Sequence, residues 1–351
     1  MKKLLALGLS MAVCLGLAAC GGQPAENVSK DSGAAAAVSG EKSYALIVKS
    51  AGNPYMEKMA DGFKKAAEGL GASVIIKQPE KATAEAQITM VEELIAQKVA
   101  GIAIAGNDAD ALQPVLSQAM QQGIQVVSLD SAVNKDSRKL HVNQAGNDLV
   151  GQALVAAVKD IMGGSGKFAI LSATSQATNQ NAWIEVMKQE LAKDEYKSLD
   201  LLEVAYGDDE SQKSVDQTQA LLKNYPDLKV ICAPTTVGIA AAAKVLRDQK
   251  SSVKLTGLGL PSEMADYIGT DAKSPCPYMF LWNPIDIGSL AGYTLDALVK
   301  GDITGAEGET FKAGDMGEFK VVAAADGGTE VILGPPFKFD PSNIDDWKSV
   351  Y

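Results

Sequence analysis

The sequence predicts an α/β protein built from two doubly wound, parallel-sheet (Rossmann-like) domains joined by a hinge. Three observations carry this. Short β-branched runs alternate with longer amphipathic stretches along the body of the chain, the pattern of parallel strands linked by right-handed helical crossovers. The alternation runs twice, once up to about residue 143 and once after it. Polar and aromatic residues gather just beyond the ends of the strands, where open parallel sheets bind their ligands.

The strands are expected at Tyr44–Val48, Ser73–Lys77, Gly101–Ala105, Ile124–Leu129, Lys167–Leu171, Asp200–Ala205, Lys229–Cys232, Val253–Gly257 and Tyr278–Leu281. Helices are expected at Pro54–Glu68, Ala84–Gln97, Ala109–Gln121, Leu149–Met162, Gln180–Ala192, Gln212–Asn224, Ile239–Asp248 and Ile285–Lys300. Asn53 before Pro54 has the form of a cap followed by a first-turn proline, and Pro284 with Asp286 opens the late helix in the same way. Lys139–Asn143 reads as a strand crossing between the halves, and Glu318–Ala323 and Glu330–Leu333 as further strands that rejoin one of them. The division that follows places 43–144 and 284–312 in an N-terminal lobe, and 145–283 and 313–351 in a C-terminal lobe.

The N-terminus points to export. Met1-Lys2-Lys3 is a cationic start, and the uncharged run Leu4–Leu17 is short for a membrane span but suits a signal-peptide core. It ends in Leu17-Ala18-Ala19-Cys20, which resembles a bacterial lipobox. Residues 1–19 are therefore expected to be a signal peptide, Cys20 the lipidated residue, and the stretch to residue 42, which has no aromatic residue, a flexible tether. About 310 residues remain for two domains of ordinary size. No later apolar stretch reaches about 20 residues. The expected place is outside the cytoplasm, lipid-anchored to the cell membrane. A net charge of −11 and a single histidine exclude an ordinary nucleic-acid binder. Cys232 ends an apolar run and reads as a buried thiol, with a disulfide to Cys276 as the alternative; no zinc spacing is present.

The segments beyond the strands hold the candidate site: Lys49 through Tyr55, Asp130-Ser131, Ser172 through Trp183, Pro234-Thr235-Thr236 and Trp282-Asn283-Pro284. Two come from the first half and three from the second, so they meet only across a cleft. Lys49 offers charged donors, Asp130 accepts from vicinal hydroxyls, and Asn179, Gln180 and Asn283 both donate and accept. Tyr55, Trp183 and Trp282 offer flat apolar faces. Pro234 and Thr236 complete the set. This is chemistry for a small polyhydroxylated ligand. Each residue also has a plainer use: Asp130 as a turn cap, Asn179 and Thr235 at helix starts, the tryptophans as core. Gly163 through Lys167 fails as a phosphate loop because it precedes a strand and lacks Ser or Thr after the lysine. His141 lies in a strand-like run and suits a structural role, and no Ser–His–Asp or Cys–His set is in place. The reading is of a non-enzyme without cofactor or metal.

On Lys49 with Gly52, Val127–Ser131, Val142-Asn143-Gln144, Asn179 through Trp183, Ala233-Pro234 and Leu281-Trp282, residues 43–351 resemble the sugar-type (type I) periplasmic binding proteins of ABC importers. The resemblance is nearest to autoinducer-2 receptors of the LsrB type and rhamnose receptors of the RhaS type. It implies that Lys49, Asp130, Gln180 and Pro234 hold the ligand. Asn179, Thr236 and Asn283 depart from the LsrB pattern, which has acid, alanine and acid there. The implied function is ligand capture for an ABC permease, by a monomer, with autoinducer-2 as the expected ligand and rhamnose as the alternative. Presentation of ligand to a membrane sensor, an exported enzyme and a transcription regulator on the same core are the competing classes; the leader and the lack of a DNA-binding segment speak against the last.

Overall fold

The computed structural model describes residues 42–271 and 273–351. The expected signal peptide, Cys20 and the tether up to residue 41 lie outside the described residues.

The chain opens with β1 (Ser43–Ile47), α1 (Pro54–Gly69), β2 (Ser73–Lys77), α2 (Ala84–Gln97), β3 (Gly101–Ile104), α3 (Ala109–Gln121), β4 (Gln125–Leu129) and β5 (Leu140–Asn143). It continues with α4 (Asn147–Ile161), β6 (Gly166–Ser172), α5 (Thr178–Leu191), β7 (Leu199–Tyr206), α6 (Ser211–Asn224), β8 (Leu228–Ala233), α7 (Thr236–Asp248), β9 (Lys254–Gly257), the short α8 (Pro261–Met264) and β10 (Met279–Leu281). It closes with α9 (Pro284–Lys300), β11 (Thr310–Lys312), β12 (Glu318–Lys320), β13 (Val322–Ala323), β14 (Thr329–Ile332), β15 (Phe337–Phe339) and α10 (Ile344–Trp347). Two main sheets result, a seven-stranded one in the order β13-β14-β5-β4-β3-β1-β2 and a four-stranded one in the order β7-β6-β8-β9. Both are parallel except for β13, so each strand's carboxyl end opens on the same side of its sheet.

Side-chain alternation along β1 explains why helices cover both faces. Tyr44, Leu46 and Val48 pack with Met59 and Phe63 of α1 and with Leu290 of α9. Ala45 and Ile47 pack with Val91 and Leu94 of α2 and Leu112 of α3. Two helix starts follow the expected chemistry: the Asn53 side chain accepts from Tyr55 N–H at 3.1 Å, and that of Asn283 accepts from Ile285 N–H at 3.0 Å, each with a proline in the first turn.

The lobe division needs one correction. β14 pairs in parallel with β5, Val331 opposite Val142, and β13 pairs with β14. Residues 322–332 therefore belong to the first sheet, not to the C-terminal lobe. Without β14, β5 would be a bare sheet edge with unpaired backbone groups. Only β15 goes to the second half, where it pairs with β10. β5 itself lies within the first sheet, and the crossing is made by 144–146 just after it. The chain also passes between the halves after β10 and after β14.

α1 and α9 approach closely where two glycines face the partner backbone. A Cβ at Gly62 would lie 2.0 Å from the Ile285 carbonyl oxygen, and one at Gly288 1.9 Å from that of Met59. Backbone cannot yield as a flexible side chain does. Gly288→Ala should therefore destabilise the protein by about 1–3 kcal/mol through overpacking, read as a lower urea midpoint with unchanged slope. An unchanged midpoint would contradict the close crossing.

Candidate functional site

The carboxyl ends of both sheets meet at a cavity lined by Lys49, Asn53, Tyr55, Met56, Asp130, Asn179, Gln180, Trp183, Asp209, Pro234, Thr235, Thr236, Leu258, Leu281 and Trp282. Among the sequence-predicted ligand residues, Asn283 alone does not line it. Its side chain caps α9, while Trp282, one residue earlier, turns into the cavity.

Lys49 follows β1, and Asp130 follows β4 at the middle of the same sheet. Their side chains pair at 3.3 Å and are only 5% and 4% exposed. Asn179 reaches them from the first turn of α5: Lys49 Nζ donates to its Oδ1 at 3.3 Å, and its Nδ2 donates to Asp130 Oδ2 at 3.2 Å. Ser131 Oγ donates to the same Asn179 Oδ1 at 3.2 Å, and Thr178 Oγ1 donates to the Ala132 carbonyl at 2.9 Å. These contacts join the two halves directly. Asp130 adopts a left-handed backbone, φ 59°, which aspartate tolerates better than most residues.

Aromatic rings form the other wall. Trp282 Nε1 donates to Tyr55 OH at 2.6 Å, and Tyr55 OH donates to Asp130 Oδ1 at 3.2 Å. Burial and the neighbouring Asp130 charge hold the Tyr55 phenol well above its ordinary pKa, so it stays a neutral donor. Trp183 and Trp282 lie 5.6 Å apart, centroid to centroid, and Trp183 Nε1 donates to Asn147 at 3.0 Å. Trp183 is thus both core and wall. Gln180 is braced: its Oε1 accepts from Ser172 Oγ at 2.6 Å and Ala173 N–H at 2.7 Å. That fixes its amide N–H groups as donors.

The residues that sequence reasoning missed are Met56, Asp209, Leu258 and Leu281; Asn53 and Thr235 lay within the candidate segments but were read as helix starts. Thr235 does cap α7, accepting from Gly238 N–H at 3.4 Å, and also lines the cavity. Asp209 follows β7, so the rule that located the other loops applies to it as well; that strand end was passed over.

A second, larger groove of ≈ 530 Å³ lies beyond Asp130 and Asn179, lined by Arg138, His141, Asn143, Asp326 and Glu330 among others. There Arg138 pairs with Asp326 at 2.7 Å and Glu330 accepts from Asn143 at 2.9 Å, and no Phe, Tyr or Trp lines it. The smaller cavity is the better candidate, because it has aromatic walls and polar groups from both sheets. His141 is hydrogen-bonded to Ser128 at 2.9 Å, and burial, with Arg138 adding to it, pushes its pKa down to about 3. It is a neutral structural histidine. Cys232 and Cys276 are free and buried; burial pushes the Cys232 thiol up to about 12, far from a nucleophile's range. Among the described residues no His, Cys, Asp and Glu cluster suits a metal ion, and no helix is long and apolar enough to cross a membrane.

The chain is similar to known proteins in sequence and in fold. A family profile described as a periplasmic binding protein domain matches residues 44–303. An ABC transporter solute-binding protein from Clostridium phytofermentas, solved with bound L-rhamnose, is 58% identical over 89% of this chain and 99% of its own, with a TM-score of 0.87. The D-allose-binding periplasmic protein of Escherichia coli K12 is 25% identical over 266 residues, 70% of this chain and 81% of its own. LsrB from Clostridium saccharobutylicum, solved in complex with AI-2, is 19% identical over 87% of this chain and 99% of its own, with a TM-score of 0.81, a likeness of fold.

Proposed function

This chain belongs to the periplasmic binding protein domain family, and we propose that it is a lipid-anchored receptor that delivers L-rhamnose, a 6-deoxyhexose, to an ABC permease. It is a sugar-binding protein of ABC importers, not an enzyme. The observation that carries the site is the convergence of Lys49 and Asp130 from one sheet with Asn179, Gln180, Pro234 and Trp282 from the other on one aromatic-walled cavity. The choice of rhamnose over autoinducer-2, the ligand first expected, is supported by the 58% identity to a rhamnose-bound protein; the AI-2-bound relative supports the fold alone.

The chemistry suits such a ligand. Sugar hydroxyls take up the valences of Lys49, Asp130 and Gln180, and the ring's carbon-bound face lies on indole. Met56, Leu258 and Leu281 offer apolar surface to a methyl group, from which the hydroxymethyl of an ordinary hexose would gain nothing. The cavity measures ≈ 30 Å³, room for about two waters. A pyranose therefore enters as the halves part, and its hydroxyls replace the Asn179 bridges when they close.

Charged partners in a desolvated site are the costly ones to lose. Lys49→Ala and Asp130→Ala should each weaken L-rhamnose binding by about 2–4 kcal/mol, some 30- to 1000-fold, in titration calorimetry, with thermal melts showing folded protein. Wild-type affinity in both variants would refute the site. Tight binding of autoinducer-2 with none of rhamnose would move the ligand and leave the transport role standing. The anchor rests on Leu17-Ala18-Ala19-Cys20 and the polar stretch after it. Cys20→Ser should shift the protein from the membrane to the soluble fraction; unchanged membrane association would count against lipidation.

A further inference from the structure

A hydroxyl-rich ligand donates as well as accepts, and until sugar displaces Asn179 the acceptors in the cavity are mostly committed. Asp130 already receives Tyr55 OH and Asn179 Nδ2 and pairs with Lys49. Asn179 Oδ1 receives Lys49, Ser131 and the Gln180 N–H. Gln180 Oε1 is taken by Ser172 and Ala173. The Asp209 carboxylate differs. Among the described residues its side chain receives one hydrogen bond, from Thr235 Oγ1 to Oδ1 at 3.2 Å. A carboxylate has about four acceptor positions, so Oδ2 keeps its capacity.

The backbone is arranged to put it there. Gly207 N–H donates to the Ser172 carbonyl and Asp208 N–H to the Ala173 carbonyl, both at 2.9 Å, which carries the β6–β7 pairing past the strand ends and beside the braced Gln180. Asp208 and Asp209 then both take left-handed conformations, φ 53° and 56°. For non-glycine residues this is strain of the kind that collects at binding sites. Among the described residues the remaining left-handed non-glycine ones are Lys98 and Lys250, at helix ends, and Asp130, the other carboxylate of the cavity. Burial holds the Asp209 carboxyl above its ordinary range, and the Lys49 ammonium across the cavity draws it back.

We propose that Asp209 is a specificity-determining residue of the sugar site, accepting one ligand hydroxyl through Oδ2. This rests on the reading that the cavity binds a polyhydroxylated sugar. A site that accepts a particular hydroxyl discriminates strongly against analogues lacking it.

The test is calorimetry of wild type and Asp209→Asn with L-rhamnose and its 1-, 2-, 3- and 4-deoxy analogues. Asparagine keeps the size and tolerates the left-handed backbone, so thermal melting should be unchanged. The expected result is rhamnose binding weakened about 10- to 100-fold by the substitution, with one analogue binding the two proteins equally, because the hydroxyl that Asp209 receives is missing from it. Equal rhamnose affinity in both proteins, or the same loss for rhamnose and every analogue, would overturn the assignment while the sugar site stood. A wild type that binds none of these compounds would overturn the sugar reading and this assignment with it.

Discussion

A lysine ammonium and an aspartate carboxylate lie buried 3.3 Å apart where the two sheets meet. Removing such ions from water costs several kcal/mol each unless geometry and further hydrogen bonds compensate. The surrounding structure supplies that compensation. Tyr55 and Asn179 satisfy Asp130, Asn179 satisfies Lys49, and Trp282 orients Tyr55. Lys49, Tyr55 and Asp130 come from the first half, Asn179 and Trp282 from the second. The pair is therefore not a local ornament of one sheet. Its solvation depends on how the halves meet, and a ligand offering hydroxyls in place of Asn179 provides an alternative solvation. On the proposed reading of the site, binding and the approach of the halves are linked through the same few atoms.

Much of this was legible in the sequence because the relevant physics is local. Apolar periodicity over five to fifteen residues marked the strands and helices of both halves, and the rule that ligands sit beyond strand carboxyl ends brought Lys49, Asp130, Asn179, Gln180 and Pro234 to one place. The failures were of two kinds. The C-terminal strands were assigned to the wrong half because β14 pairs with β5 across nearly two hundred residues of chain, and nothing in residues 329–332 encodes a partner. Asn283 was chosen because it follows a strand end and its amide can both donate and accept, whereas the strand end before Asp209 was passed over. Asn53 and Asn283 both cap a helix, yet only Asn53 also borders the cavity. The cap explains the residue without any ligand.

The family shares its fold among receptors for different sugars, so the fold cannot specify the cargo. Discrimination has to come from which hydroxyls find a partner and which carbon finds an apolar wall. Here the wall is Met56, Leu258 and Leu281 with the tryptophans, and the charged groups are one lysine and two aspartates on left-handed turns. That combination underlies the proposal of a compact, hydroxylated ring carrying a methyl group.

The most direct measurement of the central claim is a crystal structure of the protein grown with L-rhamnose. The account predicts the sugar ring between Lys49, Asp130 and the Trp183–Trp282 wall, with Asn179 no longer bridging Lys49 and Asp130. Sugar density in the larger groove beside Arg138 and His141, with the Lys49–Asp130–Asn179 contacts intact, would contradict it.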